Sequence, residues 1–138
     1  RDAGKTRLSV IRLARSAIRS AEIDQKKEMD DSGVIQVLAR EVRQRRDAII
    51  EYQRLGKTDA VKALEEEISV LMEYMPEQMT EDEVRDVVRQ AIEQVGARGP
   101  ADLGKVMGIV MPKTRGKADG RIVSETAKFL LQEIGRQT

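Results

Sequence analysis

Apolar residues recur along most of the chain at three- and four-residue spacing, the period of a helix with one buried face. Leu8, Ile11, Ala14 or Arg15, and Ile18 trace such a stripe and predict a first helix over about 6–24. Asp30, Asp31, Ser32 and Gly33 interrupt it and offer an N-cap, since short side-chain oxygens accept from the free amides of a first helical turn. A second helix carries Val34, Val37, Leu38, Val42, Ile49 and Tyr52 and stops near Gly56, a residue that accepts positive φ without Cβ strain. Thr58 or Asp59 is placed to cap a third helix, on which Val61, Leu64, Ile68, Leu71 and Met75 alternate spacings of three and four. Helices two and three, joined by a short Gly-Lys-Thr turn, predict an antiparallel hairpin. Pro76 closes this half, because the residue before a proline avoids helical dihedrals.

Thr80-Glu81-Asp82-Glu83 has the form of a capping box, and its acids suit the positive end of a helix dipole. Val84, Val87, Val88, Ala91, Ile92 and Val95 predict the buried face of a fourth helix that Gly96 ends. After a loop at 97–101, a fifth helix is expected over about 102–112, ending at Pro112, then a loop at 113–118. A sixth helix is expected over about 119–134, capped by Asp119, with Ile122, Val123, Leu130, Leu131 and Ile134 inward. No run alternates at period two with the β-branched enrichment of a strand. The fold class expected is all-α and multihelical. An N-terminal helical subdomain with a long hairpin, residues 1–76, precedes a compact three-helix subdomain, residues 77–138.

Composition narrows the chemistry. A chain of 138 residues suits one domain or two small subdomains. Apolar residues make up 40% but aromatic residues only 2%, so the core must be aliphatic and methionine-based. There is no cysteine and no histidine. Disulfides, thiolate zinc sites, cysteine nucleophiles and histidine-based triads are thereby excluded. No nucleophile–base spacing stands out among the remaining Lys, Tyr, Ser and carboxylates. We therefore expect no catalytic residues, no metal site and no cofactor; a buried carboxylate pair would be needed to reverse this. No apolar run is long enough for a membrane span, which points to a soluble, cytoplasmic protein. The chain opens on Arg1, which points to trimming of a preceding segment.

Charge changes the picture more than composition does. The formal net charge is +1, yet the signs are segregated. Residues 65–93 hold ten acids against two arginines, while residues 104–121, GKVMGIVMPKTRGKADGR, hold five bases against one acid. Gly104 and Gly108 lie four apart, on one face of the fifth helix, where each costs about 1 kcal/mol relative to alanine. We expect close packing of a neighbouring helix to offset that cost; the other reading is close approach by the backbone of a bound partner. Met107 and Met111 are expected to fill the core. Beyond the helix, Lys113, Arg115 and Lys117 crowd into five residues, with Lys105 before them and Arg121 after. Gly116 and Gly120 are expected to bare the backbone there. The start of helix six adds free amides and a positive dipole end, which suit a phosphate. Arg7, Arg12, Arg15 and Arg19, the cluster Arg40, Arg43, Arg45 and Arg46, and the acids Glu65, Glu66 and Glu67 are expected to form solvated helix faces.

Three stretches resemble the GatB/YqeY-like family: Thr6-Arg7-Leu8-Ser9-Val10-Ile11-Arg12, Tyr74-Met75-Pro76-Glu77-Gln78-Met79, and GKVMGIVMPKTRGKADGR followed by Ile122-Val123. The resemblance spans essentially the whole chain. Its C-terminal half is similar to the tail domain of the B subunit of the tRNA-dependent amidotransferase, a carbon–nitrogen ligase that uses glutamine as amide donor. Similar modules are appended to some glutaminyl-tRNA synthetases. The resemblance implies an all-helical fold, a short amphipathic helix before the position of Arg1, and a tRNA-associated role without catalysis. It makes tRNA the expected partner, with an aminoacyl-tRNA synthetase or amidotransferase as a possible protein partner, and neither DNA nor membrane. The residues expected to meet RNA are Lys105, Lys113, Arg115, Lys117 and Arg121, with Gly104, Gly108, Gly116 and Gly120 permitting close approach. A chain almost without aromatics lacks platforms for stacking bases; basic loops suit phosphate and shape recognition on a folded RNA instead. The alternative is a protein-interaction module that uses the acidic stretch or the helical hairpin and binds no RNA.

Overall fold

The computed structural model describes residues 2–137, with side chains from residue 4 onward. Among these residues it is all-α, with no strand. The helices are α1 (Asp2–Gln25), α2 (Asp31–Arg54), α3 (Thr58–Met72), α4 (Glu81–Val95), α5 (Leu103–Thr114) and α6 (Gly120–Gln137), with a 3-10 turn at Pro100–Asp102. Two compact units divide between Pro76 and Glu77.

In the first unit α2 and α3 form a hairpin, turned at Gly56 with φ +71°. Asp30 caps α2 by accepting a hydrogen bond from the Gly33 amide at 2.8 Å. The expected cap at Thr58 or Asp59 does not form. Lys57 holds that position with no side-chain bond, and Thr58 is already helical. The core gathers Val10, Ala14, Leu38, Val42, Val70 and Leu71. Leu8, placed inward by periodicity, is instead half exposed, because α1 turns the Val10–Ala14 line toward the hairpin and leaves Leu8 at the margin. Helix α3 also stops short of its expected end. The amides of Glu73, Tyr74 and Met75 reach back three residues rather than four, a tightened turn that leads into Pro76.

Arg45 departs most from its expected solvated face. It is buried, and its guanidinium donates to Glu67 Oε1 and Glu41 Oε1, each at 3.0 Å, and to the Glu41 carbonyl. This ties the two arms of the hairpin in register. An exposed pair, Arg7–Glu73, joins α1 to the turn after α3, and its hydrogen bond holds the Glu73 carboxyl below the ordinary carboxylate value.

In the second unit the capping box at Thr80 forms as expected. The Thr80 hydroxyl accepts from the Glu83 amide at 3.1 Å and the Glu83 carboxylate accepts from the Thr80 amide at 3.0 Å. Gly96 ends α4 in the left-handed region, φ +65°. Val84, Val88, Ala91 and Ile92 from α4, Val106 and Val110 from α5, and Val123, Ala127 and Leu131 from α6 make one aliphatic core. Met107 and Met111 pack against it as filler. Ile122, expected inward, is 47% exposed, because α6 centres its buried stripe on Val123, Ala127 and Leu131.

Candidate nucleic-acid interface

Helix α5 runs through the proline expected to stop it. Pro112 lies inside the helix, which ends at Thr114. The last turn is held by the Thr114 hydroxyl, which donates to the Val110 carbonyl at 3.1 Å, and by the Arg115 amide, which donates to the Met111 carbonyl at 2.9 Å. Proline has no amide to give the Gly108 carbonyl four residues back. A proline inside the helix and two glycines thus weaken the same exposed face.

Those glycines do not serve helix packing. A Cβ at Gly104 or at Gly108 would meet nothing within 4 Å, and both residues are exposed. The expectation of a flush neighbouring helix is therefore overturned. Buried Val106, Val110 and Thr114 turn toward the core, and the glycines lie on the opposite side of α5. Backbone meets backbone instead at a place that no periodic pattern marks, at ordinary van der Waals distance. A Cβ at Gly99 would stand 3.8 Å from the Cα of Gly135.

The loop after α5 is ordered by its own hydrogen bonds. The amides of Lys117 and Ala118 both donate to the Thr114 carbonyl, at 2.8 and 3.0 Å. Gly116, at φ +77°, makes the turn that this requires. It is buried rather than bare, and its carbonyl accepts from the Gln78 side-chain amide at 2.9 Å. The neighbouring Lys117 carbonyl accepts from the Met79 amide at 2.8 Å. Gly120 is half-buried at the start of α6, so neither glycine offers open backbone. The amide end of α6 is also less open than expected, since Asp119 Oδ1 accepts from the Arg121 amide at 2.9 Å and puts a carboxylate where a phosphate would sit.

What remains outward is cationic. Lys105, Lys113, Arg115, Lys117 and Arg121 are all exposed. Among the described residues no acidic side chain pairs with Lys105, Lys113, Arg115 or Lys117, whereas Arg121 is engaged. Lys113 stands in the last turn of α5, not in the loop expected to hold it, and Arg115 and Lys117 follow in the short loop beyond. Lys105 stands eight residues before Lys113, roughly 12 Å along the helix axis. The row Gly104–Gly108–Pro112 runs up to Arg115. Gln78 is the member of this arrangement that sequence reasoning missed; its only signal was its place in the stretch Tyr74 to Met79.

In the first unit Arg12, Arg15 and Arg19 form an exposed row on α1, and Arg40 and Arg43 are exposed on α2 with Arg46 half-buried near them. A groove of about 370 Å³, lined by apolar residues including Val10, Ile18, Leu38 and Leu71, opens beside Arg15 and Tyr74. No group of three or more acidic side chains able to hold a metal occurs among the described residues, and no described helix is long and apolar enough to cross a membrane.

Fold and surface together define an all-α protein of two helical units, the second presenting a braced cationic loop. The chain belongs to the Yqey-like protein family, whose model matches residues 1–131. It is 36% identical over 78 residues to the E subunit of the Glutamyl-tRNA(Gln) amidotransferase of Thermococcus gammatolerans, a match covering 56% of this chain and 12% of that one. The corresponding protein of Methanosarcina barkeri is 33% identical over 90 residues, 65% of this chain and 13% of its own. The chain is also 27% identical over 136 residues to Altered inheritance of mitochondria protein 41 of Pyrenophora tritici-repentis, covering 97% of this chain and 73% of that protein. It thus spans only about an eighth of the length of the amidotransferase subunits it matches.

Proposed function

We propose that this protein is a non-catalytic accessory module that docks on folded tRNA in the setting of tRNA-dependent amidation or aminoacylation. The observation that carries the proposal is the end of α5 with the loop after it: Lys113 in the last helical turn and Arg115 and Lys117 beyond it are exposed on a backbone already held by hydrogen bonds, with no acidic partner among the described residues. Exposed lysines and arginines beside RNA release condensed counterions, and a fixed loop loses little conformational freedom on binding. Lys105 and Arg121 extend the cationic footprint. Gly104 and Gly108 let a sugar–phosphate backbone approach the α5 main chain, a role left open by the empty space beyond them. Gly116 serves by making the turn, and Gly120 by starting α6. The similarity to Glutamyl-tRNA(Gln) amidotransferase subunits supports the tRNA setting, with such an enzyme or a synthetase as the protein partner. The absence of histidine and cysteine from the sequence supports a binding role over catalysis.

The test is binding to total tRNA across a salt titration, beside the triple variant Lys113→Ala, Arg115→Ala, Lys117→Ala. We expect the slope of log affinity on log salt to fall by about two to three units in the variant. Failure of both proteins to bind at low salt would remove direct tRNA recognition. It would favour the second reading, a protein-docking module, whose supporting observation is the apolar groove of the first unit.

A further inference from the structure

The segment 77–80 is short, but it is pinned at several points. Thr80 belongs to the capping box of α4, and the Met79 side chain packs against the core of the second unit. Beside these anchors two consecutive residues donate to two consecutive carbonyls of the basic loop. The Gln78 side-chain amide reaches Gly116 at 2.9 Å and the Met79 main-chain amide reaches Lys117 at 2.8 Å. The amides of Arg115, Lys117 and Ala118 all bond back to α5, through the Met111 and Thr114 carbonyls. Such bonds fix the shape of the turn. The clasp from 78 and 79 ties that turn to the start of a second helix and so sets where its cations point. Glutamine suits the task chemically. Its amide donates to a carbonyl and carries no charge, whereas glutamate would present only acceptors to that carbonyl and a lysine would crowd the cations it is meant to place.

We propose that Gln78 is the positioning residue of the RNA-facing loop, holding Gly116 so that Arg115 and Lys117 on either side meet phosphates together. This rests on the tRNA-docking reading above. Gln78→Met tests it, because methionine keeps the length, removes the donor and changes no charge. Binding to total tRNA is measured across a salt titration for the wild type, Gln78→Met and the triple loop variant, with amide hydrogen exchange at Lys117 and Ala118 in the free proteins. We expect Gln78→Met to keep its helicity, to speed exchange at both amides, and to lower the salt slope by about one unit for each cation carried off its phosphate. A slope change from an uncharged substitution cannot come from a lost charge, and a purely structural role would leave it alone.

Weaker binding at an unchanged slope would overturn the proposal, since Gln78 would then be a direct contact. Unchanged exchange would overturn it too, since the clasp would not be what holds the loop. A triple variant that binds like the wild type would instead overturn the docking reading. The exchange data would still report whether Gln78 braces the loop in the free protein.

Discussion

Arg45 shows how one side chain departs from its local pattern. In sequence it belongs to a run of arginines on a helix, and Glu41 four residues earlier suggests an ordinary surface pair. In the fold it is 9% exposed and bridges Glu41 and Glu67, with a further bond to the Glu41 carbonyl. Removing one partner of a buried cluster strands the others. Arg45→Ala should lower stability by about 2 kcal/mol, below the ~3–5 of a fully buried pair, because Glu41 and Glu67 keep partial access to water. Urea unfolding checks this, and Arg45→Met, which refills the volume but still strands both carboxylates, should recover only part of the loss. No loss in the alanine variant would mean that the bridge adds nothing to the hairpin. Glu41 was legible as a neighbour; Glu67 was not, because only the hairpin brings it near.

Helix α5 carries the conflict between local preference and fold most openly. Gly104, Gly108 and Pro112 all oppose helix formation, yet twelve residues from Leu103 to Thr114 are helical. The buried line Val106–Val110–Thr114 and the Thr114 hydroxyl bond to Val110 supply what intrinsic preference withholds. Because nothing stands beyond the glycines, Gly104→Ala and Gly108→Ala should each stabilise the protein by about 1 kcal/mol while weakening tRNA binding. Thermal unfolding and the salt titration together check this. A gain in stability with unchanged binding would take the glycine face out of the interface. Helix spacing placed both glycines on one face correctly; it could not say which face, since a glycine has no side chain to mark inside from outside.

At the scale of the molecule, two units with separate cores divide at Pro76–Glu77, and the proposed interface lies wholly in the second. Residues 77–138 should therefore fold alone, with one cooperative thermal transition, although a unit of this size stands near the lower limit for a single core. The triple loop substitution should lower the salt slope equally in this fragment and in the full chain. A larger drop in the full chain would show that the first unit helps to place the loop. The sequence by itself determined the helices, the capping box at Thr80, the Gly96 stop and the cationic loop. These are set by neighbours three or four residues apart, or by the geometry of one residue type. Tertiary structure alone decided that Arg45 is buried, that the α5 glycines face outward, that α5 passes through Pro112 and that Gln78 holds Gly116. Each depends on which distant segment lies alongside, and burial and hydrogen-bond partners across 38 residues leave no trace in local spacing.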